Sequence, residues 1–369
     1  MEKSFRGSVR LRAALLAALA FSTLACTGRG EEDRSLAVED TLTRTARLER
    51  IVGVLASDSL EGRLTGSPGY AEAADFVAVE MESYGLQPAF AEGGFFQSVP
   101  LTRVRDARGR ERMVLGGSEI PSGVTVLDSL VDVNVGGILW GSNPDLENQV
   151  VVVSAHLDHL GKRPPRPDTP AEAEGDSIYN GADDDASGVA GVLEVARSMA
   201  QDGPGERTVL FLVVTGEEMG ILGSRWYVQH PVFPLDQTVA DLNVEMLGRP
   251  GPAYEGAGVG WITGFERSTL GPMLVDAGLR VKPDPFPDRG LFFGSDNIAF
   301  AMEGVPAHTL SSSDLHDDYH TPDDEVDRID FGSMTTVVET LIDAVRILAD
   351  GDAPHWVEGG RPEPRGGGE

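Results

Sequence analysis

The chain has 369 residues, of which 41% are hydrophobic and 24% charged. These values suit one large α/β domain or two modest ones, and exclude a chain disordered throughout or a polytopic membrane protein. Asp+Glu number 59 against Lys+Arg 30, a formal net charge of −29; a field of that sign repels phosphate backbones and argues against nucleic acid or anionic lipid as the main partner. The single cysteine, Cys26, excludes a disulfide scaffold and a Cys-based zinc ribbon.

Residues 1–12 carry Lys3, Arg6, Arg10 and Arg12 against Glu2, and the apolar run 13–25 follows. That run is short for a membrane span and has the shape of an export signal over 1–25. Cys26 ends it in Ser22-Thr23-Leu24-Ala25-Cys26, which resembles the lipobox of bacterial lipoproteins, with Thr23 where Leu is usual. Two outcomes follow: a periplasmic or cell-envelope lipoprotein anchored to the membrane through an acylated Cys26, or a secreted protein cleaved after Ala25. Loss of 1–25 removes four cations and one anion, so the mature chain is more acidic still, −29 − 3 = −32.

Residues 26–45 are polar and charged and read as a tether. The pattern over 71–84 predicts a helix with Ala74, Phe76, Val77, Val79, Met81 and Tyr84 on one stripe and Glu72, Glu80 and Glu82 elsewhere. Residues 102–148 hold short strand-like runs without a second core. The apolar run 150–154 predicts a strand buried on both faces, and 208–214 predicts another; 239–244 and 306–310 read as further strands, 189–200 and 331–348 as amphipathic helices. Strands alternating with helices imply a mixed, largely parallel sheet sandwiched between helices, a three-layer α/β/α domain. Residues 350–369 are mostly Gly, Pro and charge, and composition predicts a disordered tail.

Acidic and histidine motifs follow directly on these strands, where open α/β sheets bind ligands. Ala155-His156-Leu157-Asp158-His159 follows the first buried strand; a metal-bound imidazole usually donates its second N–H to a carboxylate, and Asp158 two residues on offers His156 that pairing. Asn180-Gly181-Ala182-Asp183-Asp184-Asp185 precedes a helix. Thr215-Gly216-Glu217-Glu218 follows the second buried strand, where one carboxylate could bind metal and its neighbour move a proton. Asn243-Val244-Glu245 and Tyr319-His320-Thr321-Pro322 complete the series. Nitrogen and oxygen donors without thiolate suit Zn²⁺, with Mn²⁺ or Co²⁺ as alternatives.

In this order the motifs resemble the co-catalytic zinc peptidases of clan MH, a family that includes bacterial leucyl aminopeptidases, glutamate carboxypeptidase II and glutaminyl cyclases. The resemblance runs from about Leu55 to Leu348. It takes in Leu60-Glu61-Gly62-Arg63-Leu64-Thr65-Gly66-Ser67-Pro68-Gly69 and Gly294-Ser295-Asp296-Asn297. It implies a peptidase domain over 46–349 with two zinc ions: His156 and Glu245 on one, Glu218 and His320 on the other, Asp184 bridging. It implies Glu217 as general base, Asp158 as support for His156, and Tyr319 at a position that can hydrogen-bond a developing oxyanion. Two departures stand out. Glu245 occupies a position where aminopeptidases usually carry Asp, and the protease-associated insert common in the family has no room outside 102–148.

The implied substrate is a peptide, and the implied reaction removal of its N-terminal residue. A carboxypeptidase or dipeptidase of the clan would clamp a substrate carboxylate with an arginine such as Arg225, Arg249 or Arg289. A glutaminyl cyclase would share the fold with one zinc, and a metal-dependent binding lipoprotein would lack catalysis. His230, His308 and His355 read as structural or solvent residues, while His159 and His316 stand near enough to the motifs for a supporting role.

Overall fold

The computed structural model describes residues 42–363 apart from 93, 121, 165–168, 255–257 and 314. The expected export signal, Cys26 and the tether up to residue 41 lie outside the described residues. In chain order come α1 (Arg44–Leu55), α2 (Pro68–Ser83), β1 (Phe96–Arg105), β2 (Glu111–Leu115), β3 (Thr125–Leu139), β4 (Val150–His156), α3 (Gly188–Asp202), β5 (Thr208–Val214), α4 (Leu222–Gln229), β6 (Thr238–Val244), β7 (Gly260–Ile262), α5 (Leu270–Asp276), β8 (Val281–Pro283), α6 (Asn297–Glu303), β9 (Ala307–Ser311) and α7 (Phe331–Asp350).

The valine-rich runs set the centre. Branched side chains favour the pleated strand, and a strand apolar at every position must be covered on both faces. Every residue of β4 and β5 is buried. One sheet runs in the order β8-β7-β9-β6-β4-β5-β3-β1-β2. β4 lies parallel to both β5 and β6, and β6 parallel to β9. β3 pairs antiparallel with β5, and β1 and β2 extend it as an antiparallel ribbon. Residues 102–148 are thus part of the one sheet rather than a separate insert.

Alternation along the strands divides the core. Val151, Val153, Val209, Phe211 and Val213 pack with side chains of α1, α2, α3 and α7, whereas Val150, Val152, Leu210, Leu212 and Val214 pack with Tyr227 of α4 and Phe300 of α6. Full burial of such side chains stabilises by about 1.5–3 kcal/mol each, and truncating Phe211 to alanine would cost about 3–5 kcal/mol.

Two sequence expectations change. In α2 the inward face is Tyr70, Ala73, Ala74, Val77 and Met81, while Val79 is 61% exposed. Glu80 is buried instead, because Arg50 Nη2 pairs with its Oε2 at 2.8 Å and the Tyr84 hydroxyl donates to it at 2.6 Å. The tail is ordered through residue 363 where composition predicts disorder. Trp356 lies against Phe292 and His308, its indole N–H donates to Gly304 O at 2.8 Å, and Val357 N donates to Arg267 O at 3.0 Å. One aromatic anchor therefore outweighs the Gly/Pro-rich composition. Among the described residues no helix is long and apolar enough to cross a membrane.

Parallel strands end on a common edge. His156 closes β4, Glu217 and Glu218 follow β5, Glu245 follows β6, and the loop carrying Tyr319 and His320 follows β9.

Candidate metal centre and active site

His156 Nδ1 lies 3.0 Å from the main-chain oxygen of Asp158. That oxygen only accepts, so Nδ1 carries a proton and Nε2 is left to face the carboxylates. Nε2 stands 3.1 Å from Asp184 Oδ1 and 3.7 Å from Glu245 Oε1. Asp184 turns its other oxygen to His320, whose Nε2 is 3.1 Å from Oδ2 and 3.2 Å from Glu218 Oε1.

The three consecutive aspartates divide their work. Asp183 accepts from Gly248 N and Ser313 Oγ, both at 2.6 Å. Asp185 accepts from Gly188 N, Met246 N and His156 N at 3.0–3.3 Å. Both therefore fix main chain, and Asp184 alone faces the cluster. Asp324 in turn accepts from Asp183 N and Asp184 N. Gly181, at φ +56, permits the tight approach of this loop, since a Cβ there would meet Asp184 O at 2.1 Å and the His159 ring at 2.6 Å. Met246 and His320 take left-handed backbone at φ 53 and 58, strain of the kind that surrounding contacts hold in place at functional sites.

Asp158 supports the site differently from the sequence expectation. Its Oδ1 is 4.0 Å from His156 Nδ1, and its main-chain oxygen makes the closer contact. The carboxylate instead accepts from Glu217 N at 3.0 Å, Glu218 N at 3.3 Å and Thr65 Oγ1 at 3.0 Å, fastening the glutamate turn beside the β4 loop. Burial pushes its carboxyl up to about 7. Arg63, fully buried, donates Nε to Leu157 O at 2.8 Å, Nη1 to Asn180 O at 2.7 Å and to Leu55 O, and Nη2 to Gly181 O at 3.1 Å. It thereby clamps the loops that carry His156 and Asp184.

The buried His156 Nε2, both ring nitrogens of His159 and Glu218 Oε1 have no hydrogen-bond partner among the described residues. Each such atom costs about 1–3 kcal/mol unless something satisfies it. The donors fall into two groups able to hold an ion, His156–Asp184–Glu245 and His159–Asp184–Glu218, with His320 beside the second. Nitrogen and carboxylate donors without sulfur match borderline divalent metals. Charge points the same way. Burial opposes the protonated form of His320, yet Asp184 and Glu218 carry its pKa up to about 9; the same opposition is overcome at His156, which lies well above its ordinary value. A divalent cation would replace those protons. Glu217 rises well above the usual carboxylate range, mainly through burial, with Glu245, Asp296 and Glu218 adding to it and His156 opposing.

A pocket of about 220 Å³ opens beside Glu245, lined by Met246, Trp261, Leu291, Leu315 and Tyr319 among others. Tyr319 stacks on His320 at 3.8 Å between centroids. Burial and the surrounding carboxylates raise its phenol pKa, so it stays a neutral donor.

Residues 134–345, more than half of the chain, match the model of peptidase family M28. The chain belongs to peptidase family M28. A probable leucine aminopeptidase of Arthroderma otae is 29% identical over 203 residues, covering 52% of this chain and 52% of that protein. A vacuolar membrane protease of Candida albicans is 27% identical over 178 residues, 47% of this chain and 20% of its own length. The M28 chain thus spans about half, or less, of the curated relatives it matches. Among solved structures, an aminopeptidase from Aneurinibacillus sp. strain AM-1 superposes with a TM-score of 0.59 at 16% identity, covering 85% of this chain and 95% of that one. A zinc aminopeptidase from Bacillus subtilis gives 0.61 at 14% identity, covering 83% and 95%. At those identities the likeness establishes the fold.

Within this M28 domain the structure brings together His156, Asp184, Glu218, Glu245 and His320, with Glu217 adjoining and Tyr319 at the rim. His159, which the sequence marks only for a supporting role, is fully buried with Nδ1 2.9 Å from Glu218 Oε1. Its signal was adjacency to the His-x-Asp motif. His316 bonds Asp183 at 3.2 Å. His230 stacks on Trp226, His308 is held between Ser268 and Thr263, and His355 contacts Thr269, all away from the cluster.

Proposed function

We propose that the chain is a di-zinc aminopeptidase that hydrolyses the N-terminal residue from peptides. The observation that carries the reading is the Asp184 carboxylate, one oxygen 3.1 Å from His156 and the other 3.1 Å from His320, the arrangement a bridging ligand between two ions requires. His156 and Glu245 would hold one ion, Glu218 and His320 the other. Ions held by these residues would lower the pKa of a bound water and polarise a scissile carbonyl. Mn²⁺ or Co²⁺ would suit the same donors.

Glu217 takes the proton of the attacking water and returns it to the leaving amine. Its raised pKa suits a carboxylate that must hold a proton between those steps. Tyr319 donates its hydroxyl to the oxygen on which negative charge develops. The apolar pocket beside Glu245 receives the side chain of the substrate's first residue, and the surrounding carboxylates favour its α-ammonium group. Against a carboxypeptidase, none of Arg225, Arg249 and Arg289 is among the residues lining that pocket; Arg249 is paired with Asp318 at 2.8 Å, and Arg289 lies over Phe286.

A panel of amino-acid anilides, N-blocked peptides and C-blocked peptides, run with chelator and with restored zinc, tests the reading. Apolar anilides with a free amine should be cleaved and N-blocked peptides spared. Cleavage confined to N-blocked peptides with a free carboxylate would instead favour a carboxypeptidase. Release of ammonia from N-terminal glutamine would favour a cyclase. Export and lipid anchoring rest on Lys3, Arg6, Arg10, Arg12, the run 13–25 and Cys26. Wild-type protein should partition with membranes and Cys26→Ser should not; equal solubility of the two would leave ordinary signal cleavage.

A further inference from the structure

The two ion positions are unequally furnished. His156 Nε2, one Asp184 oxygen and Glu245 Oε1 give the first position three donors. The second has Asp184 Oδ2, Glu218 Oε1 and His320 Nε2, and beside them His159 Nδ1. Among these four atoms the recorded separations are 2.9 Å (His159 to Glu218), 3.1 Å (His320 to Asp184), 3.2 Å (His320 to Glu218) and 3.8 Å (His159 to Asp184). Zinc bonds of roughly 2.0–2.2 Å arranged tetrahedrally set their ligand atoms about 3.3–3.6 Å apart, so the observed edges bracket that value.

His159 has no competing task. Its ring is wholly buried, neither nitrogen has a hydrogen-bond partner among the described residues, and Nδ1 approaches Glu218 without hydrogen-bond geometry. Buried ring nitrogens without a hydrogen-bond partner are costly. Its position is enforced, because its main-chain N donates to Arg63 O at 3.3 Å and its ring packs against Gly181.

We infer that His159 is a fourth protein ligand of the ion held by Asp184, Glu218 and His320. This inference rests on the two-metal reading proposed above. Metal sites with four protein donors are characteristically the retained ones, and sites with three keep a position open for water or substrate. The second ion is therefore the tightly held one, and the first, at His156 and Glu245, is the exchangeable one beside the substrate pocket.

The test is competition between the full metal-free protein and a chromogenic chelator for zinc, with visible absorption of the cobalt-substituted protein as a second readout. Wild type should show two affinity classes. His159→Gln should weaken the tighter class at least about a hundredfold, since loss of mere outer partners costs roughly 10–100-fold. It should also change the cobalt spectrum of the first-bound ion. Should His159→Gln fail to fold, His159→Asp decides: a carboxylate there keeps two ions but alters the first cobalt spectrum. Two ions bound with unchanged affinity and spectrum in either variant would overturn the assignment while leaving the two-metal reading intact. A wild-type chain that binds no divalent ion would overturn the two-metal reading itself.

Discussion

The sheet carries its charges in two different ways. On the antiparallel ribbon, Arg103 pairs with Asp128, Arg105 with Glu111 and Arg110 with Asp106, each pair open to water and each with a partner. At the carboxyl edge of β4, β5 and β6, carboxylates and imidazoles are buried within 3–4 Å of one another and several have no partner. Solvent and a neighbour satisfy the ribbon. The carboxyl edge is satisfied only by protons or by a cation, so the fold has stored there a demand for a ligand. Buried, crowded and unpaired charge marks the site; exposed paired charge marks ordinary surface.

The largest expected effect breaks the edge at the carboxylate proposed as general base. Glu217→Gln keeps size and removes the proton acceptor, and should lower kcat by about 10²–10⁴-fold with both ions retained. Glu218→Gln should lose metal, and activity with it. Zinc stoichiometry and kcat measured on the same preparations separate the two roles. If Glu217→Gln sheds metal while Glu218→Gln keeps it, the assignments exchange.

Next comes the clamp beneath the edge. Arg63→Met keeps bulk but removes donors to four carbonyls, those of Leu55, Leu157, Asn180 and Gly181. Gly181 O keeps Ala186 N, and the other three carbonyls, at about 1–3 kcal/mol each, should cost on the order of 3–9 kcal/mol in total, read as a lower urea midpoint of the metal-free protein. A midpoint near that of wild type would show that the clamp is not needed for the fold.

These residues also show how far the sequence could be read. The strand ends were legible because an all-apolar run such as 150–154 has only one comfortable place, and motifs at its carboxyl end must share an edge with those after β5 and β6. The division of labour within Asp183-Asp184-Asp185 was legible only through the family resemblance: which carboxylate faces the cluster depends on loop dihedrals that adjacency does not encode. His159 and Arg63 were hidden for a similar reason. His159 turns inward only because Gly181 lets the neighbouring loop close on it, and Arg63 bonds carbonyls more than ninety residues away in sequence. Glu80 and Val79 exchange places on α2 because Arg50 of α1 provides a partner that a helical stripe alone does not reveal.

A smaller effect separates the edge from the periphery by pH. His308 is buried, with Nδ1 donating to Thr263 O at 2.7 Å and Nε2 accepting from Ser268 Oγ at 2.6 Å. Burial holds its pKa down at about 4. The unfolded chain, with its histidine near roughly 6.5, binds the proton first. The stabilising contribution of neutral His308 is therefore complete above about pH 6.5 and is lost as pH falls toward 4. The full difference is on the order of 3 kcal/mol. His308→Gln should flatten that part of the stability–pH curve of the metal-free protein relative to wild type, while its retention of zinc at neutral pH stays unchanged. Parallel curves for the two proteins would show that His308 does not titrate with unfolding.

The smallest effect is expected on the ribbon, and it is the one that keeps the contrast honest. Arg105→Ala removes the partner of Glu111, in a pair whose side chains are 49% and 40% exposed. Water replaces the lost contact on both sides, and Glu111 keeps Arg103 3.8 Å away. An exposed pair gives little because desolvation never raised its strength, and fixing two long side chains costs entropy. The unfolding midpoint, the zinc content and kcat of Arg105→Ala should all coincide with wild type within measurement error. A loss of stability like that expected for Arg63→Met would mean that the ribbon's charges are coupled to the core. The distinction between satisfied surface charge and unsatisfied edge charge would then no longer locate the site.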